Sequence, residues 1–157
     1  MTPAMIRPAI PGDAIGICRV HQRAVRLLCR GDYTAPQIEA WVGPRRPEDY
    51  IAALVDGERL WVASAAGRVV GFAGVKGHEL TACYVDPDQG RRGIGQRLLR
   101  AVESVALTEG AACLVVMSSL TALAFYHRAG YGADQPRTHR LRSGMTIPCV
   151  RLAKRLV

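Results

Sequence analysis

The sequence predicts a mixed α/β sheet with helices packed on it, and three observations carry that prediction. Apolar residues recur at helical spacing behind start signals at Asp13, Thr34 and Pro47. Three strand-like runs, residues 60–65, 69–75 and 79–85, follow one another across the short turns Ala66-Gly67 and Lys76-Gly77. A further strand-to-helix junction then passes through the glycine-rich stretch QGRRGIG. At 157 residues, 49% of them hydrophobic and 22% charged, the chain is expected to fold as one domain over residues 1–157.

Each element has its own warrant. Residues 5–9 read as a short first strand. Asp13 stands at the N-cap of a helix whose apolar stripe is Ala14, Ile17, Cys18, Ala24, Val25 and Leu28, with Gly31 behind it. Thr34 opens a second helix holding Ile38 and Trp41. Pro47 sits in the first turn of a third, which runs to about Val55 before the Asp56-Gly57 turn. The three runs that follow, rich in aromatic and β-branched residues, read as an antiparallel meander, and Pro87 stops the last of them. Ile94, Leu98, Val102 and Val105 mark an amphipathic helix ending at Gly110. Residues 112–117 are then a buried strand, 120–129 a helix, and 131–139 and 146–152 two closing strands, with Pro148 predicting an edge or a bulge for the last.

Composition narrows the function classes. Lys and Arg total 21 against 13 Asp and Glu, a net charge of +8, and every cation except Lys76 and Lys154 is Arg. That balance suits nucleic acid, an anionic membrane surface, a phosphorylated ligand or merely a solubilising surface. The five cysteines, at 18, 29, 83, 113 and 149, form no CxxC pair and have no histidine at zinc-ligand spacing, so neither a disulfide framework nor a metal site is expected. With no apolar leader in MTPAMIRPAIPGD and no membrane-length apolar run, a reducing cytoplasm is the expected location.

The segment CYVDPDQGRRGIGQRLL, residues 83–99, carries the clearest chemistry. The first N–H groups of a helix have no internal partner and sit at the positive end of its dipole, so they bind anions. Gly93 and Gly95 let a phosphate approach the backbone, and Arg91, Arg92 and Arg97 add full charges. A nucleotide γ-phosphate is disfavoured because no Gly-Lys-Ser/Thr is present, and the missing third glycine weakens a dinucleotide fingerprint. A pyrophosphate bound without metal remains.

Together with the preceding ELTACYVDP and the later SLTALAFYHRAGY, this loop-helix resembles the acetyl-CoA signature of the GNAT N-acetyltransferases, and the order of elements is similar along nearly the whole chain. The resemblance implies the GNAT fold, a central, mostly antiparallel sheet flanked by helices, and acetyl-CoA as co-substrate with no metal. It assigns pyrophosphate binding to the backbone of Arg91, Arg92, Gly93, Ile94, Gly95 and Gln96. Gly90 stands where the family pattern has Gln or Arg, so one side-chain contact is absent. The main chain of Cys83, Tyr84 and Val85 would pair with the pantetheine arm where two strands splay apart, and Ser119 would cap a helix or touch the cofactor.

By the same resemblance Tyr126 is the general acid for the departing thiolate; the alternative is a core aromatic. Glu79 stands at the offset of the catalytic Glu in the histone-acetylating branch and is the candidate base, acting directly or through water, with His78 and His21 as rivals. Tyr33 and Trp41, and less directly Trp61, are candidates for the acceptor pocket, beside the loop bearing Asp32. The function expected is transfer of acetyl to a primary amine of a small molecule or peptide by direct attack in a ternary complex. No specific nucleic acid and no membrane partner is expected, and the protein is a monomer or homodimer. The competing readings are a basic nucleic-acid-binding module and a catalytically silent acyl-CoA sensor with the same fold.

Overall fold

A computed structural model describes residues 3–157; Met1 and Thr2, the start of the N-terminal stretch read above, lie outside the described residues. Seven strands form one sheet in the order β1-β2-β3-β4-β5-β7-β6. They are β1 (Met5–Pro8), β2 (Arg59–Ala65), β3 (Arg68–Lys76), β4 (Glu79–Val85), β5 (Cys113–Ser118), β6 (Gly132–Arg140) and β7 (Thr146–Arg155). All neighbours are antiparallel except β4 and β5. The helices are α1 (Ala14–Leu28), α2 (Ala35–Val42), α3 (Pro47–Val55), α4 (Ile94–Thr108) and α5 (Leu123–Arg128).

The sheet is covered on both faces, which explains why β3 reads as an unbroken apolar run, buried from Val69 to Val75. Ile17, Cys18 and Val20 of α1 and Tyr50 of α3 pack with Val69 and Phe72 on one face. Leu98, Leu99 and Val102 of α4 pack with Val70, Ala73 and Val75 on the other. A third cluster joins Val25 of α1 and Ile38 and Val42 of α2 to Leu141 and Ile147 at the β6–β7 hairpin.

Three sequence expectations change. Asp13 does not cap α1: its carboxylate turns back to accept from the Ile10 N–H at 2.8 Å and from both terminal nitrogens of Arg7, at 2.8 and 3.0 Å. A salt-bridged carboxylate with a backbone donor is better satisfied there than at the helix end. β7 is not an edge strand but lies between β5 and β6. It accommodates Pro148 because its pairing with β5 runs only from Val150 to Arg155, so at Pro148 it has β6 alone for a neighbour. The helix expected over 120–129 is shorter, since Ser119 Oγ accepts the Ala122 N–H at 3.1 Å and holds a turn ahead of α5.

The close seating of α1 on β3 gives a prediction. A Cβ at Gly16 would stand 2.8 Å from Val69 Cβ, a branched side chain fixed on a buried strand. Helix propensity alone would favour Gly16→Ala by about 1 kcal/mol. Overpacking a core costs about 1–3 kcal/mol, so the variant is expected to unfold at lower temperature than the parent in a thermal melt; a rise would mean that α1 shifts freely.

Candidate active site

The site forms where β4 and β5 part. These strands pair only at Glu79–Val115 and Leu80–Val116. On the other side of β4, Val75 faces Leu80 while Gly74 faces Ala82, so Thr81 is an extra residue. A bulge bends the strand that carries it, and this one coincides with the last parallel pair. Beyond it the β5-facing edge of β4 has no strand partner.

Two clefts meet at the opening. The first, about 250 Å³, is walled by Cys83, Tyr84, Val85, Pro87, Gly95, Ser119 and Phe125, with Ala24 and Leu28 of α1 and Cys29 just beyond its end as floor. The second, also about 250 Å³, is lined by His21, Tyr33, Trp41, Arg45, Glu79, Thr81, Tyr84, Ser119, His139 and Cys149. Tyr84 and Ser119 belong to both.

At the mouth of the first cleft the chain leaves β4 through Asp86 and the helical turn Pro87–Gln89, then enters α4. Arg91 and Gly93 take left-handed backbone angles, φ 63° and 74°. Among the described residues, the first backbone N–H after Gly90 to find a main-chain acceptor is that of Arg97, at 3.1 Å from the Gly93 carbonyl. Six successive donors, from Arg91 to Gln96, are therefore free for an anion. The two glycines differ in what they do. At Gly93 the need is the backbone angle, whereas a Cβ on Gly95 would lie 3.1 Å from Phe125 and 3.5 Å from Val85, so that glycine keeps the cleft wall thin. Arg97 does not add its charge here, because its guanidinium donates to the Ala4 carbonyl at 2.8 Å.

The loop is anchored by residues that sequence spacing could not reveal. Buried Asp86 accepts from Arg23 Nε of α1 at 3.2 Å and from the Asp88 N–H at 2.9 Å, and Arg23 also reaches Asp88 at 3.1 Å. Arg23 and Asp86 are 63 residues apart.

In the second cleft, Glu79 is exposed at the head of β4, whereas His78 is exposed in the β3–β4 turn and lines neither cleft. Tyr33 and Trp41 both line it, edge to face at 5.4 Å. The Tyr33 hydroxyl also donates to the Pro148 carbonyl at 2.7 Å and accepts the Leu120 N–H at 3.0 Å. Asp32 lies outside the cleft and accepts from Thr121 Oγ1 at 2.7 Å. Trp61 is displaced altogether: it lines a separate hollow near the start of β2, between Leu60 and Val105. Arg45, which the basic pair in GPRRPED could have flagged, is in the cleft wall.

Burial sets the protonation of the site floor. It pushes the Cys83 thiol up to about 12, and that thiol donates to the Gly95 carbonyl at 3.6 Å, an arrangement for packing and not for a nucleophile. Tyr126 lines neither cleft: it is buried behind Phe125, packed edge-on against Phe125 and Tyr131 at 5.2 and 5.6 Å. Desolvation, then Cys83 and Tyr84, raise its phenol well above the ordinary value. His21 stacks on Tyr84 at 4.4 Å and shares a hydrogen bond with the Tyr50 hydroxyl at 2.9 Å through Nδ1. Its Nε2 is buried without a partner, and burial followed by repulsion from Arg45 lowers its pKa to about 3.

A sheet split in this way, with two clefts meeting at the opening, fits an acyltransferase class, and the comparisons agree. The sequence model of the acetyltransferase (GNAT) domain matches residues 29–146, and the chain belongs to that family of N-acetyltransferase enzymes. It is 31% identical over 133 residues, 83% of each chain, to the uncharacterized N-acetyltransferase YafP of Escherichia coli. A GCN5-related N-acetyltransferase structure from Rhodopseudomonas palustris superposes with TM-score 0.89 at 32% identity, covering 99% of this chain and 96% of that one. The PaiA N-acetyltransferase of Thermoplasma acidophilum, solved in complex with coenzyme A, shares the fold at TM-score 0.78 and 18% identity, covering 97% of this chain and 98% of that one. Among the described residues no group of His, Cys, Asp or Glu is arranged to hold a metal, and no helix is long and apolar enough to cross a membrane.

The neutral His21 makes stability depend on pH. Unfolded, the imidazole binds a proton near pH 6.5; folded, it stays neutral down to about 3. Between those values the unfolded state holds the extra proton, so stability falls as pH falls, by up to about 1.4 kcal/mol per pH unit. Urea unfolding should show a loss of about 2 kcal/mol from pH 6.5 to 5, and His21→Gln should remove most of that slope. An unchanged slope in the variant would assign the pH dependence to other groups.

Proposed function

We propose that the protein transfers the acetyl group of acetyl-CoA to a primary amine of a small molecule or peptide by direct attack within a ternary complex. The observation that carries this reading is the meeting of two clefts at one strand opening, with Tyr84 and Ser119 common to both. Each reactant has its own entrance and the two meet at the wall, which suits reaction without a covalent enzyme intermediate. The alternative of a Cys83 nucleophile is disfavoured by its protonated, hydrogen-bonded thiol.

The residues present fit the cofactor. Free N–H groups of Arg91, Arg92, Gly93, Ile94, Gly95 and Gln96 match a pyrophosphate, with the exposed side chains of Arg91 and Arg92 beside them. The unpaired edge of Cys83, Tyr84 and Val85 matches the amides of a pantetheine arm, in the manner of an added strand. When bound, acetyl-CoA supplies the thioester and the thiol leaving group. Around it, a β4 backbone N–H polarises the acetyl carbonyl. Glu79, in the acceptor cleft, removes the proton from the amine directly or through water. The Tyr126 hydroxyl, held protonated by burial, returns a proton to the thiolate. His21, whose pKa burial lowers to about 3, is too weakly basic to serve this step.

Calorimetry in EDTA should give acetyl-CoA binding with a Kd on the order of micromolar. Gly93→Val, which forces a branched residue to φ 74°, should abolish that binding while unfolding stays cooperative. Retained affinity in the folded variant would remove the pyrophosphate assignment. For the chemistry, Tyr126→Phe should lower kcat about 10²-fold with little change in CoA affinity. Glu79→Gln should flatten the rising limb of the pH–rate profile. A thioester with a more acidic thiol should partly rescue the first variant and not the second; full activity of Tyr126→Phe would make the phenol a packing residue.

A further inference from the structure

Resting on the acetyl-transfer reading, we propose that the acceptor is a small amine that also carries an anionic group, a carboxylate or phosphonate, held between Arg45 and Arg140. The acceptor cleft continues past Trp41, Arg45 and His139 into a trough of about 230 Å³ whose further walls include Arg140 and Arg142. The ion pairs among the described residues engage Arg142, with Asp49 at 3.3 Å, but neither Arg45 nor Arg140. Arg45 is half-buried, and its backbone is fixed to α1 by Cys18 Sγ and Gln22 Nε2, which donate to its carbonyl at 3.6 and 3.2 Å. A guanidinium on a backbone anchored this way, without an ion-pair partner and on a half-buried residue, is a ready partner for a planar or tetrahedral oxyanion.

A second observation points to a ligand in the same cleft. His21 is 5% exposed, its Nε2 has no partner, and the residue lines the cleft beside Arg45. A buried polar nitrogen left unsatisfied is costly, and a polar group of the acceptor would relieve it. The charges at the two ends also give the cleft a direction. Glu79 favours a cationic amine at the strand opening and repels an anion, while Arg45 and Arg140 do the reverse at the other end. Taking the volume of liquid water per molecule as the yardstick, each half holds roughly eight non-hydrogen atoms, a size that suits an amino acid or aminophosphonate.

The test compares amines that differ only in the anion: phenylalanine with phenethylamine, lysine with cadaverine, and 2-aminoethylphosphonate with ethylamine, following release of free CoA thiol. We expect kcat/KM at least tenfold higher for the anionic member of at least one pair, the winning pair distinguishing carboxylate from phosphonate. Arg45→Gln and Arg140→Gln should each shrink that ratio, and the double variant should bring it near one. Amines without the anion acetylated by the parent as well as those that carry it, or a preference that survives the double variant, would overturn the inference and leave acetyl transfer standing. If no amine releases thiol from protein that binds acetyl-CoA, the acetyl-transfer reading fails. Melting curves in the presence of CoA then decide the anion site separately. Stabilisation by the anionic amines that is lost in the double variant supports the site, and absence of such stabilisation overturns it.

Discussion

The parting of β4 from β5 after Leu80 is the constraint on which the rest of the molecule depends. A sheet loses main-chain hydrogen bonds wherever neighbours separate, and buried unsatisfied backbone groups cost about 1–3 kcal/mol each. The loss is confined by what surrounds it. β5 keeps six paired positions with β7, and β3 keeps β4 paired on its other side up to Val85. Only the edges facing the opening go without partners, and there solvent or a ligand can reach them. Tyr33 braces the far side of the wedge by bonding both the chain after β5 and the Pro148 carbonyl of β7.

The wedge is lined by groups that burial keeps uncharged. Cys83 and Tyr84 hold their protons and His21 goes without one, desolvation being the largest cause in each case, and the same holds for Tyr126 buried behind the lining. Full charges stand at the rims: Arg91 and Arg92 at the loop, Glu79 and Arg45 at the second cleft. Over a floor of low polarity such charges are screened less than at an open surface, so few of them are needed to orient a reactant.

Much of this was legible in the sequence because it is local. Glycine turns fix a meander, apolar spacing fixes α1 and α4, and the glycine-rich junction marks the loop with free N–H groups ahead of α4. What could not be read is what depends on distant partners. Asp13 has the spacing of a helix cap, but a nearby Arg7 and the Ile10 N–H satisfy it better. Arg97 lies in the loop-helix yet faces the Ala4 carbonyl. Trp61 sits on the meander, but β2 places it two strands from the opening, in a hollow of its own beside Ser104, Val105 and Thr108 of α4. Pro148 correctly marks a gap in the pairing, although the gap comes from β5 ending early and not from β7 being at an edge. The bulge at Thr81 leaves no trace in local pattern, since it is defined by register with β3.

One helix relates the two halves of the site. His21 of α1 faces the second cleft, Ala24 and Leu28 line the first, and these positions follow the three- and four-residue spacing of a single helical face. Between them Arg23 reaches Asp86 at the entrance to the glycine-rich loop. Gly16, one turn earlier, lets the same helix lie directly on β3. A displacement of α1 would therefore move the walls of both clefts and the loop anchor together. The relative placement of the two clefts is set by one rigid element seated on the most buried strand, so the geometry of the wedge follows from the packing of the core beneath it.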